Sequence, residues 1–280
     1  SFLIAGLLPL VAIGYLAYSR SRDALISSRA HALQAEAHHV MTSIDRMLFE
    51  RYGDAQAFAY HPSFRGTPEQ IQHTANYFLR NYGCYDLILV ADRDGSIIGA
   101  STVTFDGKPL NTKALLGRKV RGEPWFEDCV SGKIPPGATF CGDLAEDRLV
   151  AEVYGGRGLA LNFAVPIRDE AGEIVGVLSN RANWGRTIGR LVESYSKAKQ
   201  DLGEPVTVCV INRQGLLLED PDREAVLRFN VAESGLQAAQ RAIRGESGVT
   251  TEQHLRRKVD QLNAFAAVCC RKRRKSGFFE

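Results

Sequence analysis

The stretch Arg121-Gly122-Glu123-Pro124-Trp125-Phe126-Glu127-Asp128-Cys129 gathers a guanidinium, three carboxylates, two adjacent aromatic rings and a thiol in nine residues. This mixture suits recognition better than bond making: flat apolar rings cover a small molecule while a few polar groups orient it. The competing reading, of nearly equal weight, is that Trp125 and Phe126 are both core residues. Nothing elsewhere supplies a reaction centre. The chain has no G-x-S-x-G elbow, phosphate loop or H-E-x-x-H pair, so no catalytic residue is assigned and an enzyme is not expected. The six cysteines (Cys84, Cys129, Cys141, Cys209, Cys269 and Cys270) show no C-x-x-C spacing and no matching histidine set. Neither a metal nor a cofactor is expected. Cys129 and Cys141 are open to pairing in an oxidising compartment. Cys84 and Cys209, in or beside apolar runs, read as small buried hydrophobes, and His38 and His39 read as surface residues of a helix.

The elements that would hold these groups announce themselves by repetition. "LILVADRDGSIIGAS" (87–101) is an apolar run, a polar turn with a glycine and a second apolar run, the pattern of a β-hairpin. "VTVCVINRQGLLLED" (206–220) repeats it, and "FAVPIRDEAGEIVGVLSN" (163–180) gives a third and longer copy. One hairpin means only an antiparallel meander, whereas three in order imply a built architecture.

The amino terminus is different. Residues 1–19 carry no charge and would make a helix of roughly 28 Å, close to the hydrocarbon thickness of a bilayer. They are expected to form an uncleaved transmembrane anchor in contact with the lipid bilayer; a signal peptide ending near Ala17-Tyr18-Ser19 is the alternative. Ile26, Ala30, Leu33, Ala37, Val40, Ile44 and Met47 then follow at steps of four and three, one stripe of a long helix that ends near His61-Pro62. That stripe can pack on a sheet or form a homodimer seam. Net charge is +3, and five positive charges lie in Arg271–Lys275, leaving the rest of the chain at −2. The body is not basic, and no nucleic-acid partner is expected.

A span, a stalk and successive β-meander units resemble the double Cache extracytoplasmic sensor domain of bacterial methyl-accepting chemotaxis receptors and sensor histidine kinases. The three hairpin phrases and "GRKVRGEPWFEDCVSGK" (117–133) carry the resemblance, which covers most of residues 20–225. It implies an α+β chain with two PAS-like antiparallel-sheet subdomains: a transmembrane helix at 1–19, a stalk helix at 20–60, a membrane-distal subdomain at 61–200, a membrane-proximal one at 201–267 and a basic tail at 268–280. The second subdomain is expected to be truncated and the natural chain to begin upstream of Ser1. The implied role is binding a small-molecule ligand at the plasma membrane, with the sensor domain periplasmic or extracellular, and passing a conformational signal inward. An exported enzyme or scaffold on the same fold is the alternative.

The resemblance also implies a site. Trp125 and Phe126 would wall a cleft, with Arg121 beside them. Where amino-acid-binding members place an arginine for the ligand carboxylate this chain has Glu123, and Arg181 falls near their amine-binding aspartate. The charges are thus reversed. Either the ligand is not an amino acid or Glu123 and Arg181 pair with each other. Asp143, Tyr154 and Asn180 complete the implied set.

Overall fold

A computed structural model describes residues 2–254 and 259–267, with the side chains of the first helix from residue 10 onward. The expected basic tail, with Cys269 and Cys270, lies outside these residues. The chain is α+β and divides into two compact units, one of residues 44–209 with 218–221, the other of residues 2–43, 210–217 and 222–267.

Helix α1 (Phe2–Ala59) is one continuous helix, and Pro62 opens the short 3₁₀ turn that follows it. In the larger unit its buried stripe runs Ile44, Leu48, Tyr52, Ala55 and Phe58. The steps are four, four, three and three, so Leu48 takes the place expected of Met47, which is only half-buried. Further upstream Ile26 is 41% exposed, and Leu10, Val11, Ile13, Tyr15, Leu16 and Tyr18 are all exposed. Among the described residues no helix is long and apolar enough to cross a membrane; residues 1–9 of the expected span lie outside those whose side chains are described.

Helix α2 (Pro68–Tyr82) shows how local sequence sets its own limits. Thr67 caps it, with Gln70 returning a bond to the Thr67 amide, Pro68 opens the first turn, and Gly83 closes the helix at φ +67°. Ile71, Ala75 and Leu79 form its buried face.

The sheet follows: β1 (Tyr85–Asp92), β2 (Ile97–Ala100), β3 (Phe140–Cys141), β4 (Ala145–Glu146), β5 (Leu159–Arg168) and β6 (Ile174–Asn183). Its order is β2-β1-β6-β5-β3, with β4 also on β5, and every pairing is antiparallel. Two of the expected hairpins are therefore found, β1–β2 and β5–β6. One face carries α1 and α2, where Phe58 stacks on Phe78 at 4.0 Å and meets Tyr85 edge-on at 5.9 Å. The other is covered by α3 (Pro124–Val130) and α4 (Arg148–Tyr154). With both faces covered the central strands are buried almost throughout, which is why they read as continuous apolar runs.

A π-turn over Gly185–Gly189 leads from β6 into α5 (Arg190–Asp201). The third expected hairpin is shorter than its sequence suggests. Only β7 (Val210–Ile211) and β8 (Leu217–Glu219) pair, around a turn that Asn212 holds by accepting from the amides of Gln214 and Leu216. Residues 206–209 join no ladder, so Cys209 is exposed rather than buried, its thiol donating to Asp220 at 3.0 Å. In the smaller unit α6 (Gln237–Ile243) and the hairpin β9 (Gly248–Gln253) with β10 (Asp260–Phe265) follow. A small core of Leu217, Val231, Ala232 and Ala239 lies in that unit.

Candidate ligand-binding site

Side chains alternate across a strand, so the register assigns each face. Leu87, Leu89 and Ala91 of β1, Val177 of β6 and Ala160 and Ala164 of β5 belong to one core cluster with Trp125, Phe126 and Cys129 of α3 and Leu149 and Val150 of α4. Ser179, Arg181 and Asn162 occupy the same face, because they pair with Ala164, Leu87 and each other across the ladder. Three polar residues thus interrupt an apolar layer.

Arg181 is the centre of that interruption and is 2% exposed. Its Nε donates to Asp147 Oδ2 at 2.9 Å, its Nη1 donates to Asn162 Oδ1 at 2.9 Å, and its guanidinium lies 4.7 Å from the centre of the Trp125 ring. Asn162 Oδ1 also accepts from the Ser179 hydroxyl at 2.6 Å. Asp147 serves twice, since its other oxygen accepts from the amides of Leu149 and Val150 and so caps α4. The carboxylate that neutralises the buried cation is therefore locked to the helix covering it. A buried ion pair is stable only when its remaining hydrogen-bonding capacity is met, and here cap, amide and aromatic face supply that.

The polar edge continues at the end of β6. A bulge between Tyr85 and Leu87 sets Asp86, 4% exposed, to receive Asn183 Nδ2 at 2.8 Å and Arg186 Nη2 at 2.6 Å. Arg186 also lies 4.2 Å from the centre of the Phe105 ring.

No family model matches the sequence, and no curated protein matches it. Solved structures do. An extracellular ligand binding receptor from Desulfohalobium retbaense is similar over 81% of this chain at TM-score 0.52 and 14% identity. The chain spans 35% of that receptor's length. The extracellular domain of vpHK1S-Z8, assigned as a histidine kinase, gives TM-score 0.61 at 13% identity, covering 85% of this chain and 90% of that one. The ligand-binding domain of Pseudomonas fluorescens chemoreceptor CtaA, solved with L-serine, gives 0.55 at 14%, covering 81% and 86%. The fold is that of extracellular sensor domains. It is consistent with the Cache resemblance that the hairpin phrases carry.

Within this sensor-domain fold the expected site residues separate into groups. Trp125 and Arg181 meet directly. Phe126 is fully buried behind Trp125, its ring edge-on at 5.8 Å. Arg121 and Glu123 are exposed. Arg121 anchors to the β1–β2 turn, donating from Nε to the Asp94 carbonyl at 3.0 Å. It crosses Gly95, whose φ of +79° and contact with Arg121 and Phe126 leave no room for a Cβ. Glu123 stands at the start of α3 and makes no capping bond. The suggested Glu123–Arg181 pair is not formed; Asp147 fills that role. Asp143 is exposed and accepts from the Leu144 amide at 3.0 Å. Tyr154 donates to the Asp86 carbonyl at 2.9 Å, and burial pushes its phenol up to about 12. Asn180 pairs with Ile88 and Phe163 and so points to the opposite face, toward α1 and α2.

Asp147, Asn162 and Ser179 are the residues that sequence reasoning missed. An aspartate immediately before Arg148-Leu149-Val150 has the form of a helix cap, and Asn162 is a polar residue inside an apolar strand run. Cys129 and Cys141 are free thiols. Their placement explains why: Cys129 belongs to the cluster under α3, as does Phe140, so Cys141, one residue further along β3 and paired with Phe163, faces the other side of the sheet.

Proposed function

We propose that this chain is a membrane-anchored extracytoplasmic sensor domain of the Cache type, taking a small molecule on the α3 and α4 face of its sheet. The observation that carries the reading is the buried Arg181, Asp147, Asn162 and Trp125 cluster. A charge is kept in a nearly apolar layer, beneath two short helices, where a structural core would use aliphatic residues. Solved structures of similar fold include chemoreceptor domains bound to L-serine and to 4-methylisoleucine. The ligand here would meet a guanidinium already paired with a carboxylate, and so would present an acceptor or anionic group to the Arg181 N–H donors. Residues 1–19 would hold the chain in a bacterial inner membrane, with α1 as dimer seam and conveyor of the signal to a chemotaxis or histidine-kinase output. Binding without turnover is the expected behaviour.

The test is a thermal-shift screen of the full chain in detergent against organic acids, amino acids, amines and purines, since a ligand selective for the folded state raises Tm by mass action. A saturable shift lost in both Trp125→Ala and Arg181→Gln supports the reading. A shift unchanged in both variants overturns the site, and chemical conversion of the bound compound overturns the sensor in favour of an enzyme.

A further inference from the structure

We propose a second ligand site, for a small oxyanion, at the turn end of the same sheet. A cavity of about 270 Å³ opens there between the β1–β2 turn, the β5–β6 turn and the end of α3; Arg93, Arg168, Ser131, Gly132, Glu173 and Ile174 are among the residues lining it. It is separate from the Arg181 cluster. Ile174 opens β6 and Arg181 lies in its second half, seven residues on, or roughly 23 Å along a strand.

The two arginines are what make the cavity a site. The three aspartates flanking them in sequence are engaged elsewhere. Asp92 accepts from the Ser96 amide at 2.8 Å, Asp94 from Arg121, and Asp169 from the amides of Ala171 and Glu173 at 2.9 Å each. Among the described residues neither Arg93 nor Arg168 has a carboxylate within ion-pair distance. Arg168 is held in place nonetheless, its Nη1 donating to the Gly172 carbonyl at 2.8 Å, so its remaining N–H groups are presented from a fixed fork. Two guanidiniums against one carboxylate, Glu173, leave a net positive wall. Planar N–H forks of this kind match the paired oxygens of a phosphate or carboxylate.

Isothermal titration of the full chain in detergent, at low ionic strength where screening is weak, tests this with inorganic phosphate and with succinate as separate probes. Saturable binding of either probe is expected, phosphate alone marking a phosphate-type ligand and succinate alone a carboxylate. Losing a charge-assisted contact should weaken it roughly ten- to a hundredfold in Arg93→Ala and again in Arg168→Ala. Arg168→Lys, which keeps the charge but not the fork, guards against a turn defect and should also weaken binding. Glu173→Gln should tighten it, and Lys113→Ala, an exposed charge elsewhere, should leave it unchanged. The proposal fails if neither probe saturates, or if Lys113→Ala weakens binding as much as Arg93→Ala.

Discussion

Asn180 offers the sharpest test of the fold. It is fully buried within β6, and neither its Nδ2 nor its Oδ1 has a hydrogen-bond partner. Its cross-strand neighbours are Ile88 and Phe163, both apolar. A buried polar group left unpaired costs about 1–3 kcal/mol, and this side chain holds two. Leucine has the same number and branching of heavy atoms, so Asn180→Leu removes both penalties and adds apolar contact. Its rounder shape returns some of that gain as crowding, about 1–3 kcal/mol where the core cannot adjust. A net stabilisation of about 2 kcal/mol is expected, which for a unit of this size raises Tm by about 4–8 °C. Differential scanning calorimetry, supported by urea midpoints, measures it. Asn180→Asp should do the reverse, because a carboxylate cannot be solvated there. If the leucine variant melts below the parent, or the aspartate variant is tolerated, the amide is satisfied in solution by a buried water and the packing argument is wrong.

Three further predictions concern other parts of the same unit. Asp147→Asn keeps a cap for α4 but strands the Arg181 cation, and should cost about 3–5 kcal/mol by urea denaturation; the double change Asp147→Leu with Arg181→Met should recover most of it, and a loss under about 1 kcal/mol in the single variant would show that the pair does not hold the layer. Burial pushes the thiols of Cys84 up to about 11 and of Cys129 up to about 12 from an ordinary value of 9.0. Above pH 9 the unfolded chain ionises these thiols while the folded chain does not, so stability present below pH 9 is lost as pH rises, by up to about 1.4 kcal/mol per pH unit for each thiol. Urea midpoints between pH 8 and 10.5 should fall, and Cys84→Ala with Cys129→Ala should flatten the curve. In a Cys269→Ser, Cys270→Ser background only Cys209 should react with a thiol reagent at pH 8; labelling of Cys129 at the same rate would refute its burial.

Much of the sheet is legible in the sequence because its strands are covered on both faces. Continuous apolar runs broken by Asp-Gly or Ala-Gly turns name β1–β2 and β5–β6 directly, and the His61-Pro62 break fixes the end of α1. The hairpin at 206–220 misleads: Val206, Val208 and Val210 have strand character, but propensity supplies no partner, and pairing begins only at Val210. The stripe on α1 is legible in part, since steps of three and four are both helical and only packing decides between Met47 and Leu48. For the site, Trp125 and Arg181 are legible as types at positions. Their contact is not, because the residue joining them to the fold, Asp147, is 34 positions away and reads locally as nothing more than a cap. Asn180 misleads for a simpler reason: adjacent residues in a strand face opposite ways, and a position one off from the site is on its far side.

That alternation constrains how β6 can move. On one side the strand presents Arg181 to α3 and α4, and on the other Asn180 to the face that carries α1 and α2. Sliding by a single residue would swap the cation onto the α1 and α2 face and break Arg181 from Asp147 and Asn162 together. The strand therefore behaves as a fixed partition. Whatever is bound at Arg181 is thereby separated from the α1 and α2 face by a strand whose pairing on both sides resists displacement.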